Sequence, residues 1–463
     1  MTTNIPKRKL PGPWPVFPKS ETAEPVCPDI RPALHDRLRG RNAVGMIRRT
    51  LPGILLVLSL LCGPWMSARA AESEPGSIDL YIQNGGYAVK TLQGNIEGIN
   101  ADSPFIPAST IKLVTCLASL HILGADYQFA TRFSMDEADN LYIQGGGDPT
   151  LTSEDAASLV GELFEHGVRR VNALILDGSA FALEGMVDGS ENSARPYDAE
   201  ITPLAINYNA LPLLVRADHS IASGEPQTPV LPIMREIGRS MDPGQYRLNV
   251  RAFPAAGGLT NEERYAGELF RALLRQRGIQ TGDRILRGTV PDNAALLLTH
   301  RSDSVRNIIR ICLEYSNNFI ANELFIACGR VRYGGAGTWK KGRMALAEFT
   351  SRTLRLDPEA ITMVEGSGLS RKNQISPRTM IRVLEAFAPH IDLIPTKHDF
   401  LMKSGTLKGV YCYGGYFEDH DGLVPFSIML NQEVNSRDKI LRLLAARFEP
   451  LPASSAVDQT ENR

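Results

Sequence analysis

The hydrophobic period of this chain changes near residue 400, and that change constrains its fold more than any other feature. From about Ser304 to Ala388 apolar residues recur at helical spacing. Val305 to Arg332 predicts two helices broken at Ser316-Asn317-Asn318. Two more are predicted over Thr338 to Leu354 and Pro377 to Ala388. Then the period drops to two. Phe400 to Leu407, Val410 to Phe417 and Val424 to Leu430 predict three strands with tight connections, and Ser436 to Phe448 predicts a closing amphipathic helix. Near the other end, residues 77–92 predict two short strands around Asn84-Gly85-Gly86, a hairpin signal. A helix is predicted from about Ser109, with Leu113, Leu117 and Leu120 on one face and Gly124 as its stop. Strands at both ends with helices between them predict an α+β fold, in which one antiparallel sheet is assembled from both chain ends and carries helices on its faces.

Residues 130–300 have another texture. Short β-like runs (Leu141 to Ile143, Ala173 to Leu176, Leu211 to Val215) alternate with Gly/Pro turns, and helices are predicted over Asp155 to His166 and Glu262 to Arg277. This stretch reads as an inserted, strand-rich accessory region. With 463 residues the chain is too long for one ordinary domain. The expected division is a leader (1–70), a discontinuous main domain (71–130 and 300–450), an inserted domain (131–299) and a C-terminal tail (451–463). A hydrophobic content of 43% permits full cores, and a net charge of −1 gives no support for nucleic acid as a partner.

The leader has the layout of a secretory signal peptide. Basic Arg48-Arg49 precedes an apolar run from Ile54 to Leu61, and Ala68-Arg69-Ala70 closes it with small residues. Cleavage is expected after Ala70, with Met46 as an alternative start, and the protein is expected to be exported to the periplasm. An uncleaved anchor is the competing reading and leaves room for peripheral membrane association. The run is too short to span a bilayer comfortably. Past the leader, Cys116, Cys312, Cys328 and Cys412 all sit in apolar stretches. They read as buried thiols more readily than as disulfides, and their spacing does not resemble a metal site.

Three short motifs carry the chemistry. Ser109-Thr110-Ile111-Lys112 places a hydroxyl and an amine three residues apart on one helical face. A serine needs a base before it becomes a nucleophile, and a lysine whose pKa is lowered by burial supplies one. Ser436 and Lys439 repeat the spacing, but there Asn435 or Ser436 reads as a helix cap and Lys439 as solvent-facing. Ser109 taken alone is open to the same cap reading. Ser316-Asn317-Asn318 gives Ser-x-Asn at a helix break. Ser190-Glu191-Asn192 gives it again, in a polar loop. Lys403-Ser404-Gly405-Thr406 lies on a predicted strand. On a strand edge, Lys403 can hold a carboxylate with the Ser404 hydroxyl beside it, and Gly405 leaves room for a substrate to pair with the strand. The competing account of Lys403 is a charged edge residue that deters aggregation. The motifs stand in the order Ser-x-x-Lys, Ser-x-Asn, Lys-Ser-Gly, separated by 207 residues (109 to 316) and 87 (316 to 403).

With these motifs the chain resembles the class C low-molecular-mass penicillin-binding proteins, the D-alanyl-D-alanine carboxypeptidase/endopeptidases. Further stretches fit: Pro107 to Leu113, Gly145-Gly146-Gly147-Asp148-Pro149-Thr150-Leu151, Asn207 to Leu211, Ala336 to Trp339, Glu365 to Arg371 with Asn373, and Lys403 to Val410. The resemblance covers roughly residues 77–448. It implies a penicillin-binding/β-lactamase-like transpeptidase fold. It also implies that Ser109 attacks the carbonyl between two terminal D-alanines while Lys112 takes its proton. By the same resemblance Ser316 relays a proton to the leaving amine, and Asn318 orients substrate and lysine. Lys403, Ser404 and Thr406 bind the terminal carboxylate, and the N–H groups of Ser109 and Thr406 form the oxyanion hole. Partners would be peptidoglycan peptides, with β-lactam antibiotics as covalent inhibitors and no metal or cofactor.

The chain departs from the family pattern at three places. Ser404 stands where Thr is usual, Asn317 where Asp is common, and the segment Pro389 to Met402 is short. Alternatives within this reading are a DD-endopeptidase that cuts peptide cross-links, or a non-catalytic peptidoglycan-binding relic. A β-lactamase lacks a motif for its deacylating base here. A nucleophile-elbow hydrolase lacks Gly-x-Ser-x-Gly, and a zinc peptidase lacks His-Glu-x-x-His.

Overall fold

The computed structural model describes residues 77–91, 93–255, 258–419 and 422–448. The predicted leader and the tail from residue 451 lie outside the described residues.

Alternation along the C-terminal strands builds the main sheet. In Val410–Asp419, Cys412 and Tyr416 turn to one face, while Tyr413 and Phe417 turn to the other. The first set packs against the helix Pro377–Phe387, through Met380 and Leu384. The second set, with Phe426, Ile428 and Leu430, packs against Ile440, Leu441 and Leu444 of the closing helix Arg437–Ala445. Each strand is therefore apolar on both faces, as a sheet covered on both sides requires. The strand order is Thr396–Lys397, Phe400–Leu407, Val410–Asp419, Gly422–Leu430, Gly85–Lys90, Ile96–Ile99, antiparallel throughout. Both chain ends thus supply one sheet, and the fold is α+β as expected.

The expected N-terminal hairpin is not formed where the sequence signal placed it. Ile78–Tyr81 is a 3₁₀ turn, and Gly85 opens a strand whose hairpin partner is Ile96–Ile99. The two glycines serve close strand approach rather than a turn. A Cβ on Gly85 would meet the Met429 carbonyl at 2.5 Å, and one on Gly86 the Ile99 carbonyl at 2.7 Å. Asn84 is tied to the far strand instead: its side-chain amide donates to the Asn431 carbonyl at 2.8 Å.

Helices Lys112–Ile122, Val305–Glu314, Asn318–Tyr333 and Trp339–Glu348 gather over the first face in one apolar core. A second core belongs to residues 133–279, around Phe133, Leu174, Phe270 and Leu274. Its five-stranded sheet runs in the order Ala295–Arg301, Ala130–Met135, Asn140–Gln144, Arg170–Asp177, Gln280–Arg287, with both parallel and antiparallel pairs. A three-stranded sheet centred on Ala210–Val215 adjoins it. The stretch expected to be inserted is not sealed off from the rest. Ala180, Phe181, Val187, Ala199, Ile201 and Ala205 pack into the helical core around Lys112–Ile122. Among the described residues no helix is long and apolar enough to cross a membrane.

Candidate active site

Ser109 sits on a turn that the local sequence strains. Ala108 adopts φ 46°, a left-handed conformation that costs a non-glycine residue energy. It is held there from behind by Gly368, also left-handed at φ 88°, where a Cβ would lie 2.0 Å from the Ala108 carbonyl oxygen. The helix expected from Ser109 begins instead as a 3₁₀ turn over Ala108–Ile111, and the α-helix starts at Lys112. This favours the chemistry, because side chains three apart eclipse on a 3₁₀ turn. Ser109 makes no capping bond. Its hydroxyl accepts from Lys112 Nζ at 3.0 Å.

Lys112 is fully buried. Its ammonium also donates to Asn318 Oδ1 at 2.7 Å and to the Ser367 carbonyl at 2.5 Å. Burial pulls its pKa down to about 8, against the opposing influence of Cys312, Glu365 and Cys116. Two of the three amine hydrogens are thus held by fixed acceptors, and the third position points at Ser109.

The helix break brings in the second motif. Asn317 Oδ1 caps the helix Asn318–Tyr333 by accepting from Ile320 N–H at 3.0 Å. Ser316, just outside it, is left-handed at φ 54°. Its hydroxyl accepts from Lys403 Nζ at 2.7 Å. Lys403 is fully buried, so it is not a solvated edge charge. Burial, then the positive charges of Lys112 and Lys397, hold its pKa well below the ordinary lysine value.

Alternation along Phe400–Leu407 turns Lys403 and Gly405 toward Ser109 and Ser404 and Thr406 to the opposite side. Gly405 answers a closer need than strand pairing with a substrate. A Cβ there would meet the Pro107 carbonyl at 2.7 Å and Ser109 N at 2.9 Å, so the strand lies directly against the Ser109 turn. The structure therefore gathers Ser109, Lys112, Ser316, Asn318, Lys403 and Gly405 into one cluster, with Ser404 and Thr406 beside it. The duplicates fall elsewhere. Ser436 opens the last helix, its hydroxyl donating to the Tyr81 carbonyl at 2.6 Å, and Lys439 is exposed. Ser190 lies in an exposed loop, where its hydroxyl accepts from Asn192 N–H.

Several contributors were not singled out from sequence. Glu365 is fully buried and accepts from the backbone N–H groups of Ser367, Gly368 and Ser370 and from Asn373 Nδ2 at 2.7 Å. It thereby shapes the loop whose Ser367 carbonyl anchors Lys112. The Glu-Gly-Ser-Gly-Leu-Ser run was visible, but nothing local assigned it this work. Tyr197, from the accessory stretch, accepts at its carbonyl from Asn318 Nδ2 at 3.1 Å. Lys397 and Arg437 reach Ser404 and Thr406. The four cysteines past the leader are buried free thiols. Among the described residues no group of three or more His, Cys, Asp or Glu side chains is placed to hold a metal ion.

Known proteins similar to this chain point to one family. The model of the D-Ala-D-Ala carboxypeptidase 3 (S13) family matches residues 79–240 and 247–401. The chain belongs to that family. The match ends just before Lys403, so the Lys-Ser-Gly strand is placed by the geometry above and not by the family model. Among S13 relatives, the D-alanyl-D-alanine carboxypeptidase of Actinomadura sp. is 27% identical over 400 residues, covering 70% of this chain and 73% of that one. The D-alanyl-D-alanine carboxypeptidase DacB of Haemophilus influenzae is 26% identical over 399 residues, covering 73% and 83%. Penicillin binding protein 4 from Haemophilus influenzae shares the fold with a TM-score of 0.65 at 21% identity, over 79% of this chain and 95% of that one. A second structure of it, complexed with a β-lactam, superposes with a TM-score of 0.62.

Proposed function

We propose that this S13 protein is a serine D-alanyl-D-alanine carboxypeptidase acting on peptidoglycan stem peptides through an acyl-enzyme on Ser109. The observation that carries the reading is the buried Lys112 amine, 3.0 Å from the Ser109 hydroxyl with a pKa brought down to about 8. The neutral amine takes the Ser109 proton as Oγ bonds to the carbonyl carbon of the penultimate D-alanine. The N–H groups of Ser109 and Thr406 stabilise the oxyanion. The C–N bond then breaks, the proton passes through Ser316 to the departing amine, and free D-alanine leaves. Asn318 holds Lys112 and the substrate backbone, while Ser404 and Thr406 bind the terminal carboxylate and buried Lys403 holds Ser316 from behind the strand. Water hydrolyses the ester. A β-lactam follows the same first step and stays attached.

The reading includes export to the periplasm, supported by Arg48-Arg49, the apolar run and Ala68-Arg69-Ala70. N-terminal sequencing of the mature protein is expected to begin at Ala71. Labelling with a fluorescent penicillin tests the site. The wild-type protein is expected to take one adduct and Ser109→Ala none; an adduct on Ser109→Ala would remove Ser109 as nucleophile. Digestion of purified muropeptides is expected to release free D-alanine. Loss of cross-linked dimers as well would add endopeptidase activity, and neither change would leave a binding relic.

A further inference from the structure

Three basic side chains crowd the strand of the third motif, and the carboxylates near them are fewer and more distant. Lys397 Nζ donates to Ser404 Oγ at 3.0 Å. Arg437 Nη1 donates to Thr406 Oγ1 at 2.8 Å and to the Gly405 carbonyl at 2.9 Å. Lys403, the residue before Ser404, turns to the opposite face of the strand, where its Nζ donates to Ser316 Oγ. Lys397 forms no ion pair among the described residues; Glu314 is near enough only to favour its charge. The carboxylate that approaches Arg437 is Asp438, at 4.0 Å, and its oxygen already accepts from Tyr413 at 2.6 Å. Burial, and then the charge of Arg437, depress Lys397, and Lys397 in turn depresses Lys403. Like charges held this close in a half-buried place are unfavourable until an anion joins them.

The backbone shows that both side chains are positioned rather than loose. Lys397 pairs with Phe400 across a two-residue turn, His398 and Asp399, whose φ values of 49° and 68° are both left-handed. That is the turn geometry that keeps two strands in tight register. Arg437 opens the closing helix, and its guanidinium lies 4.5 Å from the centroid of the Tyr413 ring. Met402 N–H still donates to the Pro395 carbonyl at 2.9 Å, but from Lys403 onward no strand pairs on the side away from Val410–Asp419 among the described residues.

We propose that Lys397 and Arg437 are specificity-determining residues which, with the Ser404 and Thr406 hydroxyls, clamp a free carboxylate on the carbon bearing the leaving amine. The clamp rests on the peptide-binding reading of the site, but not on acylation of Ser109. Its ligand is a peptide whose departing residue keeps its α-carboxylate unmodified. Each hydroxyl turns from accepting a cation's hydrogen to donating toward the carboxylate, and the cations close on the same oxygens. Charge-assisted bonds of this kind are strong and directional.

Equilibrium binding to the Ser109→Ala protein tests this, with an acetylated peptide ending in D-Ala-D-Ala offered as the free acid and as the C-terminal amide. The acid is expected to bind at least about tenfold more tightly than the amide. Lys397→Met and Lys397→Gln are expected to cut that acid-to-amide ratio several-fold, Lys397→Arg to keep most of it, and Arg437→Gln to reduce it. Thermal unfolding checks that each variant is folded. An acid-to-amide ratio near one, or a ratio unmoved by both neutral Lys397 variants, would overturn the clamp. The readout needs no turnover. A wild-type protein that takes no penicillin adduct yet prefers the acid in a Lys397-dependent way would sink the acylation reading and keep the clamp.

Discussion

Lys112 is the residue on which the chemistry turns. Its pKa of about 8 means that the neutral form is the minority at pH 7 and grows as pH rises. The rate of penicillin acylation is therefore expected to climb about tenfold per pH unit below 8 and to level off above it. A flat profile on the acid side would remove Lys112 as the base. The sign for stability follows from the same shift. Between about 8 and the ordinary 10.5, the unfolded lysine holds a proton that the folded one has lost, so folding becomes more favourable as pH rises through that window. Below it the cost of a buried charge stands in full, eased by the Asn318 and Ser367 acceptors.

At the level of elements, the site is a junction of three irregular pieces on regular supports. A 3₁₀ turn, a capped helix break and an open strand edge meet where Ala108, Ser316 and Gly405 make conformations or contacts that regular structure would not supply. Gly368 locks the first piece from outside it. Gly368→Ala places a methyl carbon against the Ala108 carbonyl and demands φ 88° of an alanine. The variant is expected to lose on the order of 1–3 kcal/mol in stability, seen by thermal unfolding. Its acylation at Ser109 is expected to slow more than tenfold. Unchanged acylation would show that the turn does not depend on this contact.

At the scale of the whole molecule, two apolar cores divide the work. The core that holds Leu113, Cys116, Cys312 and Phe319 carries the helices bearing Lys112 and Asn318. The core around Phe133 and Phe270, whose rings meet edge-on at 5.6 Å, contains none of the candidate site residues. Phe270→Ala is expected to cost about 3–5 kcal/mol. Acylation by the folded fraction, measured well below the melting temperature, is expected to match wild type. The accessory stretch nevertheless reaches the site through the segment that packs into the first core, since Tyr197 meets Asn318 and Ser370 donates to Asp188 at 2.6 Å.

Much of this was legible in the amino-acid order because it is periodic or local. Alternation marked Phe400 to Leu407, Val410 to Phe417 and Val424 to Leu430 as strands, and helical spacing marked the break at Ser316. The Ser-x-x-Lys spacing put two groups on one turn wherever that turn was placed. The hairpin at Asn84-Gly85-Gly86 was misplaced because a glycine required by a neighbouring strand reads the same as one required by a turn. Other features depend on residues far apart in the chain. Only the fold decided that Lys112 is fully buried and shares Asn318 with the helix break, that Gly405 backs onto Ser109, and that Lys397 and Arg437 converge on one strand. Burial and long-range contact set pKa and charge balance, and neither is a property of any short stretch of sequence.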